Sequence, residues 1–150
     1  MEAINPLALS ELLARVGQYM DKRTLNSCIR VSHTWHDILL PCLWYDAKIS
    51  FIGNCSPPAD DIEKNATHIR KLCVNGFRAS DMKMFNCSFL LLSVLALRFR
   101  YPVGLTIITF LRRHASSLTD ISIDGVNPDI LVALNECPNL KRLKLYVYRM

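Results

Sequence analysis

"ECPNLKRLKL", residues 136–145, sets Leu140, Leu143 and Leu145 in the spacing LxxLxL. With aliphatic substitution the same spacing occurs three times earlier, as Ile69, Leu72 and Val74, as Leu92, Leu95 and Leu97, and as Leu118, Ile121 and Ile123. The first positions are separated by 23, 26 and 22 residues. One such match carries little, but four at a nearly constant step mark an internal repeat. The last two apolar positions alternate, so a short strand turns both toward one side.

Parallel strands need a crossover between them, and each gap offers one. "TIITFLRRHASS" (106–117) places Ile107, Ile108 and Leu111 on one helical face. "PDILVALNECPN" (128–139) starts on a proline and carries Ile130, Leu131 and Leu134 inward. "SDMKMFNCSF" (80–89) is a shorter version with Ser80 as a cap. Ile49 and Phe51 precede Leu72 and Val74 by 23 residues, so Lys48–Ile52 is expected to be a first strand of the same sheet. The competing reading is an ordinary α/β domain. A doubly wound sheet would be expected to have longer strands and a glycine-rich turn, whereas Gly53, Gly76 and Gly104 stand alone.

The first forty-odd residues follow a helical period instead. Leu12, Leu13, Val16 and Met20 recur at one-turn spacing. Ser10 is a candidate cap for a first helix, with Glu11 near the positive end of its dipole. Asp21-Lys22-Arg23-Thr24 reads as a turn, with Asp21 or Thr24 capping a second helix that carries Leu25, Cys28, Ile29 and Val31. A third short helix carries Trp35, Ile38 and Leu39, and Pro41 is expected to end it. Residues 53–68 are polar, contain Pro57-Pro58, and read as a long connection with room for a helical turn.

The 150 residues are 51% hydrophobic and 21% charged, a globular composition. The longest apolar run, Phe89–Leu97, is nine residues, too short to span a membrane. The chain opens Met1-Glu2 and meets its first basic residue at Arg15, which argues against a signal peptide. Six scattered cysteines form no CxxC and no zinc-ribbon spacing, so they are expected as small buried hydrophobes in a reducing compartment. Residues 1–68 hold six Lys/Arg against eight Asp/Glu, a net −2, and residues 69–150 hold twelve against five, a net +7. The second half therefore suits an acidic or phosphorylated partner better than the first.

Several function classes find no support. His33, His36, His68 and His114 lack a nucleophile motif beside them, and Asp60-Asp61 sits in a polar segment, so no enzyme activity and no cofactor are expected. His33 and His36 with Cys42 would be the best metal set, but Cys42 lies past a proline and no fourth ligand follows, so no metal is expected. A basic second half with Tyr146 and Tyr148 is compatible with nucleic acid, yet no RRM, KH or helix-turn-helix pattern accompanies it, and no nucleic-acid partner is expected.

Residues 5–44, "NPLALSELLARVGQYMDKRTLNSCIRVSHTWHDILLPCLW", resemble an F-box. Leu9-Ser10-Glu11-Leu12-Leu13 stands where that family has its Leu-Pro-x-Glu-Ile/Leu-Leu opening, with Ser10 in place of the common proline. Val16, Tyr19-Met20, Leu25, Cys28, Val31-Ser32, Trp35, Ile38 and Leu43-Trp44 match later landmarks. Residues 69–145 resemble leucine-rich repeats, although Phe77, Arg100, Val126 and Tyr148 occupy the position where many such repeats carry Asn or Cys.

The resemblance implies an α/β chain with a small three-helix F-box (1–46). A connecting segment that can supply a first strand follows (47–68). A short leucine-rich-repeat solenoid of parallel strands and crossover helices (69–150) completes it. It implies a substrate-recognition subunit of an SCF-type cullin–RING ubiquitin ligase, cytoplasmic and/or nuclear. The F-box would dock a Skp-family adaptor and, through it, a cullin, while the repeats hold a protein substrate. The alternative is a leucine-rich-repeat interaction scaffold without ligase assembly. A solenoid needs a polar terminal cap and none is visible after Leu145, so a longer solenoid or a capping partner is expected.

A three-helix unit of this size cannot bury Leu9, Leu12, Leu13, Val16, Leu25, Val31 and Trp35 together. By resemblance these, with Pro6 and Leu7, are the expected adaptor contacts. Val31, Trp35, Ile38 and Trp44 are the expected packing residues, with His33 and His36 toward solvent. Trp35→Ala would cost about 3–5 kcal/mol if the ring were fully buried. In the repeats, the residues alternating with the inward leucines face the side where solenoids commonly bind. They include Lys71, Asn75, Arg98, Asp120, Asp124, Arg142, Lys144 and Tyr146 as candidate substrate contacts. Arg142, Lys144 and Tyr146 form an end suited to a phosphate or an acidic peptide.

Overall fold

The computed structural model describes residues 6–52, 57–76, 79–98, 104–125 and 128–146. The chain divides into two compact units, Met1–Tyr45 and Asp46–Met150.

The first unit has three helices, α1 (Pro6–Gly17), α2 (Lys22–Cys28) and α3 (His33–Trp44). α1 begins on a proline, whose missing N–H is no loss in a first turn. Ser10 therefore lies inside the helix and does not cap it. Asp21 caps α2, accepting from the Thr24 N–H at 2.8 Å and the Thr24 hydroxyl at 3.1 Å. Ser32 caps α3 through the Trp35 N–H at 3.2 Å. Pro41 does not end α3, which runs on to Trp44. The proline removes one bond of the helical ladder, and the turn beyond it continues regardless. α3 packs against both α1 and α2. The interior centres on Leu25, 3% exposed, and Leu39, fully buried. Trp35, Ile38 and Trp44 are half-buried, and Val31, expected in the packing, is 65% exposed.

The second unit is built on a parallel five-stranded sheet in the order β1 (Asp46–Ser50), β2 (Lys71–Asn75), β3 (Val94–Arg98), β4 (Asp120–Asp124), β5 (Arg142–Tyr146). Between the strands lie α4 (Ala59–Asn65) with a 3₁₀ turn, a 3₁₀ segment (Ala79–Asn86), α5 (Leu105–His114) and α6 (Pro128–Asn135). The four apolar triplets occupy equivalent places. The carbonyls of Arg70, Ser93 and Thr119 each accept from two consecutive N–H groups one repeat later, at Ser93/Val94, Thr119/Asp120 and Lys141/Arg142. Those steps are the 23, 26 and 22 residues of the sequence repeat.

β1 exists, but two residues earlier than its pattern suggested. Ala47 pairs with Leu72 and Ile49 with Val74, so Ala47 and Ile49 point inward, and Phe51 lies beyond the strand. The shift keeps the same parity, which is why Ile49 stays inside. Gly76 follows β2 at φ +70, and a Cβ there would stand 2.6 Å from Ile52 Cγ1, so both conformation and space call for glycine.

Sequential parallel strands joined by crossovers of one hand place their connections on one face. That face carries the core, in which Leu72, Val74, Leu95, Leu97, Ile121 and Ile123 are at most 2% exposed. Phe110 meets Phe85 and Phe89 edge-to-face at 5.1 and 5.8 Å between ring centroids. On α6 the buried residues are Ile130, Ala133 and Leu134, and Leu131, expected inward, is 48% exposed. The spacing 130, 133, 134 and 137 gives the apolar stripe to Ala133 and Cys137 instead. In the last repeat the pattern persists but the burial does not, with Leu143 44% and Leu145 37% exposed. Cys137 is buried, and Cys28, Cys42, Cys73 and Cys87 are half-buried free thiols, less enclosed than expected. Phe77, Arg100, Val126 and Tyr148 lie outside the described residues.

Candidate functional site

Two surfaces gather the expected contacts, one on each unit. On α1, Leu9, Leu12 and Val16 fall at i, i+3 and i+7 and share one side of the helix. They are 59%, 59% and 44% exposed, while Leu13 is half-buried. Val31, in the turn between α2 and α3, and Tyr19 are exposed as well. Leu25 is different: it is buried on α2, which packs on α3, and is not open to a partner. Trp35 is half-buried, so it is divided between internal packing and exposed surface. The side chains of Pro6 and Leu7 lie outside the described residues, although both belong to α1.

The second surface is the sheet face opposite the core. Lys71, Asn75, Arg98, Asp120, Asp124, Arg142, Lys144 and Tyr146 all fall on it, exposed or half-buried. Strand register sorts them into rows. Asp46, Lys71, Val94, Asp120 and Arg142 form one row across the strands, and Lys48, Cys73, Ala96, Ser122 and Lys144 form the next. In the first row Arg142 Nε donates to Asp120 Oδ1. The Asp120 carboxylate also accepts from the Thr119 hydroxyl at 2.7 Å. The hydrogen bond from Arg142 and then that from Thr119 hold the Asp120 carboxyl below the usual carboxylate range. Arg142 is thus committed to its neighbouring strand, and the expected cationic end of Arg142, Lys144 and Tyr146 reduces to Lys144 and Tyr146.

Among the described residues no cluster of three or more His, Cys, Asp or Glu side chains is placed to hold a metal ion. His33 and His36 are exposed on α3, and His36 Nδ1 lies 3.2 Å from Asp37. No helix among the described residues is long and apolar enough to cross a membrane.

Two residues escape the sequence reading. Lys48 joins the second row once β1 starts at Asp46. His114 is 4% exposed beneath the repeat core. Its signal was present: Ile107, Phe110, Leu111 and His114 follow i, i+3, i+4 and i+7 on α5.

A scan against protein-family models finds none that matches the chain, and a search of curated proteins finds no significant match.

Proposed function

We propose that the chain is the substrate-recognition subunit of an SCF-type cullin–RING ubiquitin ligase, acting in the cytoplasm and/or nucleus. The unit of α1–α3 docks a Skp-family adaptor, which links it to a cullin, and the repeat sheet holds the protein substrate. One observation carries this reading: Leu9, Leu12 and Val16 leave an apolar stripe outside on α1 while Leu25 and Leu39 are buried in the unit's interior. Exposed apolar side chains grouped on one element mark an interaction site. The landmark pattern from Leu9 to Trp44 supplies the identity of the partner. No step of this role needs a catalytic group on the chain.

Co-expression with a Skp-family adaptor followed by size exclusion tests it. The two chains are expected to elute together, and Leu12→Glu to run alone with its helical signal retained. A wild-type chain that elutes without the adaptor sinks the ligase reading. The repeat unit would then stand as an interaction scaffold.

A further inference from the structure

The open sheet face carries five basic side chains against three acidic ones, and their pairing is uneven. Asp120 is held by Arg142 and Thr119, and Asp46, Lys71 and Asp124 each have an interaction of their own. Lys48, Arg98 and Lys144 are exposed, and among the described residues none of their three side chains has a hydrogen-bond or ion-pair partner. These three side chains are positive charges that no described side chain pairs with.

Its geometry is set by the register. Lys48 on β1 and Lys144 on β5 share one row, with Cys73, Ala96 and Ser122 between them. Four inter-strand steps separate the lysines by about 19 Å. Arg98 sits two residues beyond Ala96 on the middle strand, about 7 Å along the strand from that row. The low side chains of the row leave nothing tall between the two lysines. Tyr146, 53% exposed, adds an aromatic ring beyond Lys144 at the same end.

We propose that this face binds an acidic segment of another protein chain, laid across the strands so that its carboxylates meet Lys48, Arg98 and Lys144. The inference rests on the reading of the repeat sheet as the substrate-holding part and names the chemistry of that substrate. A lone phosphate cannot reach cations 19 Å apart, so the recognised feature is spaced charge. An extended segment advancing about 3.3 Å per residue spans the row in roughly six residues. Acidic groups at i and i+6 meet the two lysines, and one between them meets Arg98. Tyr146 offers an apolar neighbour of the segment a ring to pack against.

Fluorescence anisotropy on the full chain tests this, with a labelled ten-residue peptide of alternating Glu and Ser as the probe. Lys48→Glu, Arg98→Glu and Lys144→Glu are each expected to weaken binding roughly threefold to tenfold. Lys64→Glu and Lys83→Glu make the same change of net charge on exposed residues of the connecting segments and are expected to leave binding within about twofold. Each variant's thermal midpoint is checked, and the Gln substitution replaces any that fails to fold. Equal weakening by both sets would reduce the effect to net charge and overturn the proposal. So would a peptide with one phosphoserine and no other acid binding as tightly, or a single-stranded RNA of equal charge binding more tightly through the same three residues. Adaptor co-elution is read on the same proteins. If the adaptor binds and the peptide shows no preference for the three residues, the peptide inference fails alone. If the wild type binds the peptide and never the adaptor, only the ligase reading fails.

Discussion

The main-chain N–H of Phe89 donates to Nε2 of His114 across 3.0 Å. The other ring nitrogen, Nδ1, stands 2.9 Å from the Phe110 carbonyl. Because Nε2 accepts, Nδ1 is the nitrogen that bears the proton, and the ring is neutral. The same imidazole lies 4.3 Å from the Phe110 ring centroid, so it is packed as a core aromatic while satisfying two main-chain groups.

That arrangement has a pH consequence. Burial pushes His114 below its ordinary value, the Phe110 carbonyl works the other way, and the Arg113 charge adds to the lowering. A depressed folded-state value means the unfolded chain takes up the proton first. The stabilisation is complete above the unfolded value of about 6.5 and is lost as pH falls through the lower folded value. Urea midpoints are expected to fall between pH 7.5 and 5.5, and His114→Gln to flatten that dependence. Parallel slopes for the two proteins would show that His114 does not carry it.

The repeats are expected to differ in what their leucines contribute. Leu95 is fully buried and Leu145 is 37% exposed, although both are inward strand positions of the pattern. Leu95→Ala should cost about 2–5 kcal/mol and Leu145→Ala under about 1 kcal/mol, by equilibrium urea unfolding. Similar losses would mean that β5 is covered in solution.

The sheet was legible because its signal is redundant: three apolar positions recur at a nearly constant step, so an error in one repeat is corrected by the others. β1 had no such support. Its inward pair includes Ala47, too small to register as a core residue, and alternation then favours Ile49 and Phe51. The pairing of Arg142 is hidden from the sequence for a different reason. Its commitment to Asp120 depends on which strand residues stand opposite, and those residues are 22 positions apart in sequence. Pro41 shows the limit of a local rule, since the residue before a proline prefers extended backbone but the packing of α3 on two helices outweighs it. The apolar stripe of α1 could be read from spacing alone. What spacing could not separate was Leu12 from Leu25, both good core residues by type.

At Gly17, α1 comes close to the side chains of α3. A Cβ at that position would stand 2.6 Å from Leu39 Cδ2 and 3.2 Å from the Cys42 sulfur. Leu39 is fully buried, so its side chain has little room to move. Gly17→Ala is expected to destabilise the unit by about 1–3 kcal/mol through overpacking, despite alanine's better helix propensity. Unfolding followed by tryptophan fluorescence reads this directly, because Trp35 and Trp44, the two tryptophans of the chain, both lie on α3. A stabilised variant would show that α1 and α3 separate easily.

Leu12 and Leu25 divide stability from docking. Leu25 is 3% exposed and anchors α2, whereas Leu12 is 59% exposed on the α1 stripe. Leu25→Ala should cost about 2–5 kcal/mol of stability, and Leu12→Ala no more than about 0.5 kcal/mol. Under the proposed docking the order is expected to reverse for adaptor capture, with Leu12→Ala removing an interface contact and Leu25→Ala acting only by loosening the unit. Half-buried Trp35 is expected between them, with Trp35→Ala costing about 1–3 kcal/mol instead of the full-burial figure and weakening capture as well. Urea midpoints and adaptor titration on the same three variants check the pattern. Capture that simply follows stability across the three would assign α1 no docking role, since an exposed leucine at a true interface must lower affinity without lowering the midpoint.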